Sequence, residues 1–248
     1  MKLSYQNDQV TVFDEVLAPG QRESLWTYLQ LLDYRPLHHD RWHKDWGLGD
    51  GLPMRSAAVA FRSSGGEADG DASHYPTGTA IDAVIASVLD AQRQCRTVGR
   101  QGSEWERFRA AAYLYPAGSG LSWHHDQAES YSGSFIYYAH RVWNVAWGGE
   151  LLVQPEPPEG AQALMNGTAI EATRSGGQLL DVKKVAIGPH LDNTNQDRLL
   201  SRHGRGEFIL ANPNRLVLIR AGVPHAVNPV NRAAGHHPRI SVAGFFER

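Results

Sequence analysis

The sequence predicts a mainly β protein, a sandwich or barrel of short strands packed against helices near its N-terminus. From Trp105 onward the chain is a series of short apolar runs broken by Gly, Pro and Asn: "RFRAAAYLY", "SFIYYAH", "GGELLV", "GQLLDV", "GEFIL", "RLVLIRA", "HAVNPV" and "RISVAGFF". Strands punctuated at that density belong to stacked or closed sheets. Helical spacing is read only before that point. A length of 248 residues with 42% hydrophobic content supplies one sizeable core, so a single domain over 1–248 is expected.

Taken in order, "VTVFDEVLAPGQRESLWTYLQLL" reads as a short strand, a turn at Pro19-Gly20 and a helix with Leu25, Leu29 and Leu32 on one face. Residues 38–56, rich in His, Trp and Gly and without a period, read as a long loop, and 63–78 as a turn-rich connection. "TAIDAVIASVLDAQRQC" then places Ile81, Val84, Ile85, Val88 and Leu89 at helical spacing, the clearest helix in the chain. Residues 1–104 are thus expected as helical support and loops, and 105–248 as the β core. Within that core, 154–206 is the least readable stretch, with "PEPPEG", "RSGG" and "DNTNQD" marking turns.

Bulk composition excludes several function classes. With 24 basic and 26 acidic residues the formal charge is -2, so no broad basic surface exists to displace counterions from nucleic acid. One cysteine, Cys95, rules out an internal disulfide framework and a thiolate cluster and suits a reducing compartment. The start "MKLSYQNDQV" lacks an apolar signal region, and no apolar run approaches membrane-spanning length. A cytoplasmic protein with no membrane or nucleic-acid partner is expected; oligomeric state is not readable. No G-x-S-x-G, Walker-type or G-x-G-x-x-G motif is present.

The chemistry concentrates in "LSWHHDQAES", residues 121–130. If 122–126 are extended, His124 and Asp126 point to one side and His125 to the other, so only His124 shares a ligand with Asp126. Imidazole and carboxylate at that spacing can grip one metal ion, with a third ligand supplied from elsewhere. The segment "IRAGVPHAVNPVNRAAGHHPRISVAGFF" offers His225 after Val-Pro, and then Arg239 with Ser241 on one face of a later strand. Two histidines and a carboxylate on a metal with open positions form the ligand set of non-heme Fe(II) oxygenases. A buried, forked Arg nearby suits the far carboxylate of a dicarboxylate cosubstrate. His236 and His237, before Pro238 in an expected turn, are rivals to His225 and read as solvent-exposed.

These residues resemble the Fe(II)/2-oxoglutarate-dependent oxygenases, in particular their prolyl 4-hydroxylase-like branch. "YPAGSGLSWHHD" is similar to that branch's Y-x-x-G-x-x-L/Y-x-x-H-x-D run, "YYAHRVWNVAWGGELLV" to its Y-L-N…W-G-G-E-L run, and "VPHAVNPV…RISVAGFF" to its H-x-V-x-P-V…R-x-S run. The resemblance implies a double-stranded β-helix, a distorted jelly-roll barrel. It implies iron ligation by His124, Asp126 and His225, and pairing of Arg239 with the distal carboxylate of 2-oxoglutarate, supported by Tyr115 and Ser241. It also implies Fe(II), 2-oxoglutarate and O2 as cofactor and cosubstrates, ascorbate as a reductant, and release of succinate and CO2 on oxidising a C-H bond.

Hydroxylation is the default outcome, since related halogenases lack the carboxylate that Asp126 supplies; desaturation and cyclisation would use the same residues. Ala139-His140 stands where the branch has Leu-Asn. His140, Trp143 and Trp42 are candidate substrate contacts, Trp42 through a lid formed by the His- and Trp-rich loop. The expected substrate is a small molecule, such as an amino acid derivative or natural-product intermediate. A peptidyl prolyl or protein hydroxylase is the alternative. A zinc hydrolase would not need Arg239, and a non-catalytic ligand-binding barrel would be free to lose a metal ligand.

Overall fold

The computed structural model describes residues 1–37, 49–62, 72–126, 130–154, 167–175, 178–187 and 205–248. Eight strands form two facing antiparallel sheets. The larger sheet contains β7 (Arg107–Tyr115), β9 (Tyr131–Tyr138), β14 (Leu216–Arg220) and β16 (Arg239–Glu247), side by side in the order β14-β9-β16-β7. The smaller contains β8 (Leu121–His124), β10 (Leu151–Val153), β13 (Glu207–Ile209) and β15 (His225–Val227), in the order β13-β10-β15-β8. The chain crosses between sheets at nearly every step, returning to the same sheet only from β10 to β13. That is the double-stranded β-helix that the sequence resemblance implies. A hairpin of β11 (Gly167–Ser175) and β12 (Gln178–Ile187) lies between β10 and β13 in sequence and forms its own two-stranded sheet.

The N-terminal residues, expected as helical support and loops with one short strand, contribute more strand than that. The pair β1 (Lys2–Gln6) and β2 (Val10–Asp14) extends the large sheet beyond β14. On the other side, β3 (Arg35–Pro36), β4 (Met54–Arg55), β5 (Val59–Arg62) and β6 (Ser73–His74) join through β4 and β5 to β7. These segments are two to five residues long and carry no clean alternation. Their pairing is decided by the exposed edges of β14 and β7.

Two helices cover the outer face of the large sheet. Helix α1 (Pro19–Gln30) starts with Pro at its first position, and the Gln21 side chain accepts from the Ala18 N–H at 3.0 Å, satisfying a donor at the helix start. Helix α2 (Ile81–Gln94) buries Ile81, Val84, Ile85, Val88 and Leu89, the stripe its spacing predicts. Before it, Asp82 accepts the N–H groups of Thr77 and Gly78 at 3.0 and 2.8 Å.

Alternation along each strand divides the apolar residues between two cores. Phe108, Ala110 and Ala112 of β7, Phe135 and Tyr137 of β9, and Ile240, Val242 and Phe246 of β16 pack outward with the helices. Ile136 and Tyr138 of β9 and Val217 and Ile219 of β14 face Leu151, Val153 and Ile209 of the small sheet, filling one end of the barrel. Burying each large aliphatic or aromatic side chain is worth about 1.5–3 kcal/mol. Dense packing on both sides therefore holds the strands whose inner residues form the site. Among the described residues no helix is long and apolar enough to cross a membrane.

Candidate active site

His124 ends β8, His225 starts β15, and the two are direct partners across the small sheet. Their rings lie 4.2 Å apart, tilted by 60°. Asp126 lies just past β8, where its backbone carbonyl accepts from the Gly222 N–H at 2.8 Å, tying it to the turn before β15. Ligand atoms of the three side chains all fall within 4.8 Å of one another.

The imidazoles are oriented by the backbone. His124 Nδ1 lies 2.7 Å from the Ser122 carbonyl and His225 Nδ1 2.9 Å from the Val223 carbonyl. A carbonyl can only accept, so each Nδ1 carries the proton and each Nε2 keeps a lone pair. That tautomer, held by a backbone acceptor, is what a metal-ligating histidine requires. The carboxylate supplies the complementary observation. Asp126 is 2% exposed, and neither of its oxygens receives a hydrogen bond among the described residues. A buried carboxylate without partners is strongly unfavourable unless a cation balances it. Two imidazole nitrogens and one such oxygen fit a divalent transition metal with coordination positions left open.

Arg239, 1% exposed, is fixed deeper in the barrel. Its Nε donates to the Gly149 carbonyl at 2.8 Å and its Nη1 to Ser241 Oγ at 3.5 Å, while Nη2 is buried without a hydrogen-bond partner among the described residues. The guanidinium carbon stands 5.1 Å from the ring centre of Tyr115, its cross-strand partner, and 4.8 Å from that of Tyr138. Burial pushes the Tyr115 and Tyr138 hydroxyls well above the usual tyrosine range, with Arg239 opposing that rise, so both remain neutral donors. Gly149 has φ 72°, and a Cβ there would lie 2.9 Å from Arg239 Cδ. The second glycine of "WGGE" thus lets the arginine approach the backbone.

The other residues singled out in the sequence fall into distinct places. His140 Nε2 donates to the Ala211 carbonyl at 2.6 Å and its Nδ1 lies against the Ile240 backbone, so both nitrogens face main chain. Burial holds its pKa down at about 4. Trp143 donates from Nε1 to the Gly148 carbonyl at 2.9 Å and packs tilted against His140 and edge to face with Trp147. Trp42 and the His- and Trp-rich part of its loop expected as a lid, 38–48, lie outside the described residues, while the end of the stretch expected as a loop forms β4. His125 is buried and stands apart from the cluster of ligand atoms. His236 and His237 are exposed, His237 stacking on Trp147.

Sequence reasoning missed Tyr138, Tyr113 and Gly149. The signal for the tyrosines was available: once Arg239 and Ser241 are placed inward, the alternation of β7 and β9 turns Tyr113 and Tyr138 inward as well.

A profile of the 2OG-Fe(II) oxygenase superfamily matches residues 108–247, more than half of the chain and the whole run of eight barrel strands. The chain belongs to this superfamily. This 2OG-Fe(II) oxygenase is similar in structure to a prolyl-4-hydroxylase of Pseudomonas putida, with a TM-score of 0.52 at 15% identity over 97% of this chain and 93% of that one. It is also similar to a prolyl hydroxylase of Trichoplax adhaerens, solved with a hypoxia inducible factor oxygen degradation domain peptide fragment. There the TM-score is 0.54 at 14% identity over 97% of this chain and 84% of that one. At these identities the likeness is one of fold. No curated protein matches the chain by sequence.

Proposed function

We propose that this oxygenase hydroxylates an unactivated C-H bond of a small molecule, with His124, Asp126 and His225 holding Fe(II). The observation that carries the ligand assignment is the buried Asp126 carboxylate, unpartnered within 4.8 Å of two imidazoles whose backbone contacts leave Nε2 available. Arg239 would receive the distal carboxylate of 2-oxoglutarate through Nη2, with Tyr115 and Ser241 beside it; Tyr138 joins that set from the geometry.

Iron with bound 2-oxoglutarate supplies the oxidation of a C-H bond by O2, with loss of CO2 and formation of succinate. The chain's own residues hold and orient. The Ser122 and Val223 carbonyls keep the imidazoles in the ligating tautomer, the Gly149 carbonyl fixes the guanidinium, and the neutral tyrosines can donate without adding charge.

Support for a small substrate comes from the near-neutral charge of the chain. A peptidyl prolyl substrate is the second reading, favoured by the likeness in fold to two prolyl hydroxylases. The lone cysteine agrees with a cytoplasmic setting.

The deciding experiment adds Fe(II) and then 2-oxoglutarate to the metal-free protein without oxygen and follows the weak visible charge-transfer band of a chelated 2-oxo acid. The band should form in the wild type and be lost in His124→Ala. Tight iron binding without the band would favour a hydrolase or a binding protein. Succinate release with N-acetylproline against a proline-containing peptide then separates the two substrate readings.

A further inference from the structure

One row of side chains across the large sheet extends past the metal ligands and the cosubstrate pocket. In antiparallel strands, directly opposed residues present their side chains on the same face. The register sets Tyr138 opposite Ser241, Ser241 opposite Tyr113, Tyr113 opposite Arg55, and Arg55 opposite Arg35. The row begins at the cosubstrate end, where Ser241 and Tyr138 contact Arg239. It passes Tyr113, the direct cross-strand partner of Arg55, whose hydroxyl pKa is pushed up by burial and pulled back down by the Arg55 guanidinium, with Asp126 acting on it more weakly. It ends in two arginines on the short strands β4 and β3.

Both arginines are exposed, and among the described residues neither forms an ion pair. Like charges directly opposite one another in a sheet destabilise it. The fold therefore gains nothing from placing Arg35 against Arg55. Neighbouring strands are about 4.8 Å apart, which sets the Arg55 backbone roughly 10 Å from that of Ser241. An amino acid derivative has that reach.

Resting on the oxygenase reading above, we infer that Arg55 and Arg35 form an oxyanion subsite, so that the substrate is a small acidic molecule. Its carboxylate or phosphate binds at the edge of the barrel and its reacting carbon lies beside the metal ligands. Two guanidinium forks offer parallel N–H donors to either anion, and the pairing of β4 with β7 sets Arg55 beside Tyr113 along the row.

The test uses the full chain loaded with diamagnetic Zn(II) and saturating 2-oxoglutarate, so that the Arg239 site is filled. Acetate and inorganic phosphate are titrated separately while the arginine Nε–H resonances are followed by NMR. The Arg55 signal should shift saturably, with affinity about tenfold or more above that at the exposed Arg232. Arg55→Gln and Arg35→Gln should each remove that advantage, and Arg55→Lys, which keeps charge without the fork, should retain part of it. Preference for acetate would identify a carboxylate substrate, and preference for phosphate a phosphate ester. With 2-oxoglutarate bound, a response at Arg55 no tighter than at Arg232 to both anions overturns the inference and leaves the oxygenase reading standing. Failure of 2-oxoglutarate itself to bind overturns both.

Discussion

The two faces of the large sheet are made by alternate residues of the same strands, yet they serve opposite ends. In "RFRAAAYLY", Phe108, Ala110 and Ala112 face the helices in a dry apolar layer, whereas Tyr113 and Tyr115 face the barrel interior. In "RISVAGFFE", Ile240, Val242 and Phe246 pack outward while Arg239 and Ser241 point in. The outer face can be satisfied by shape and burial alone. The barrel interior, onto which the inner face opens, keeps the Asp126 carboxylate past β8 and an Arg239 nitrogen of the large sheet without hydrogen-bond partners among the described residues, an arrangement that costs stability and prepares binding. Substitutions on the two faces should therefore have separable consequences.

The largest expected effect is on the inner side. Asp126→Ala should reduce succinate formation to background while leaving the melting temperature of the metal-free protein equal or higher, because a buried unpaired charge is removed. Wild-type-like succinate release would break the ligand assignment. On the outer face, Phe246→Ala should cost about 3–5 kcal/mol in urea denaturation, as truncation of a fully buried aromatic does. The variant's folded fraction should still form the iron and 2-oxoglutarate band. Loss of that band with unchanged stability would erase the distinction between the faces.

His140 joins the inner pocket to the strand backbone and gives the comparison a pH dependence. Its folded pKa of about 4 lies below its ordinary value of 6.5, so the folded state disfavours the proton. The stability it contributes is fully present above pH 6.5, declines as the pH falls toward 4, and levels off below that. The loss amounts to roughly 3 kcal/mol. Urea midpoints measured across that range should fall less steeply in His140→Gln than in the wild type. An identical slope would mean that His140 does not control it.

The smallest effect is expected for Arg239→Lys, which keeps the charge but loses the fork and the Gly149 contact. Affinity for 2-oxoglutarate should weaken by about 1.5–3 kcal/mol, roughly 10- to 150-fold, with little change in melting temperature. Unchanged affinity would move the carboxylate-binding role to another residue.

Much of this design is legible in the chain because it is local. The period of α2 places Ile81, Val84, Ile85, Val88 and Leu89 on one buried stripe, and the i, i+2 spacing of His124 and Asp126 separates them from His125. Strand alternation likewise assigns Arg239 and Ser241 to one side. Of the short N-terminal strands only β2, in "VTVFD", was legible. Arg35-Pro36 and Met54-Arg55 have too few residues to show a period and become strands only by pairing, β4 on the edge of β7 and β3 on β4.

By itself the sequence determined which residue types could meet a metal, which faces of α2 and of the long strands are apolar, and where most strands of the barrel lie, although its run "GQLLDV" falls in the separate hairpin. The tertiary structure decided that His225 stands opposite His124 while His236 and His237 remain outside, and that Arg35, Arg55 and Tyr113 continue one row with Ser241. The physical reason is register. Hydrogen-bond ladders join strands far apart in the chain, and a slip of one residue would turn every inner side chain outward.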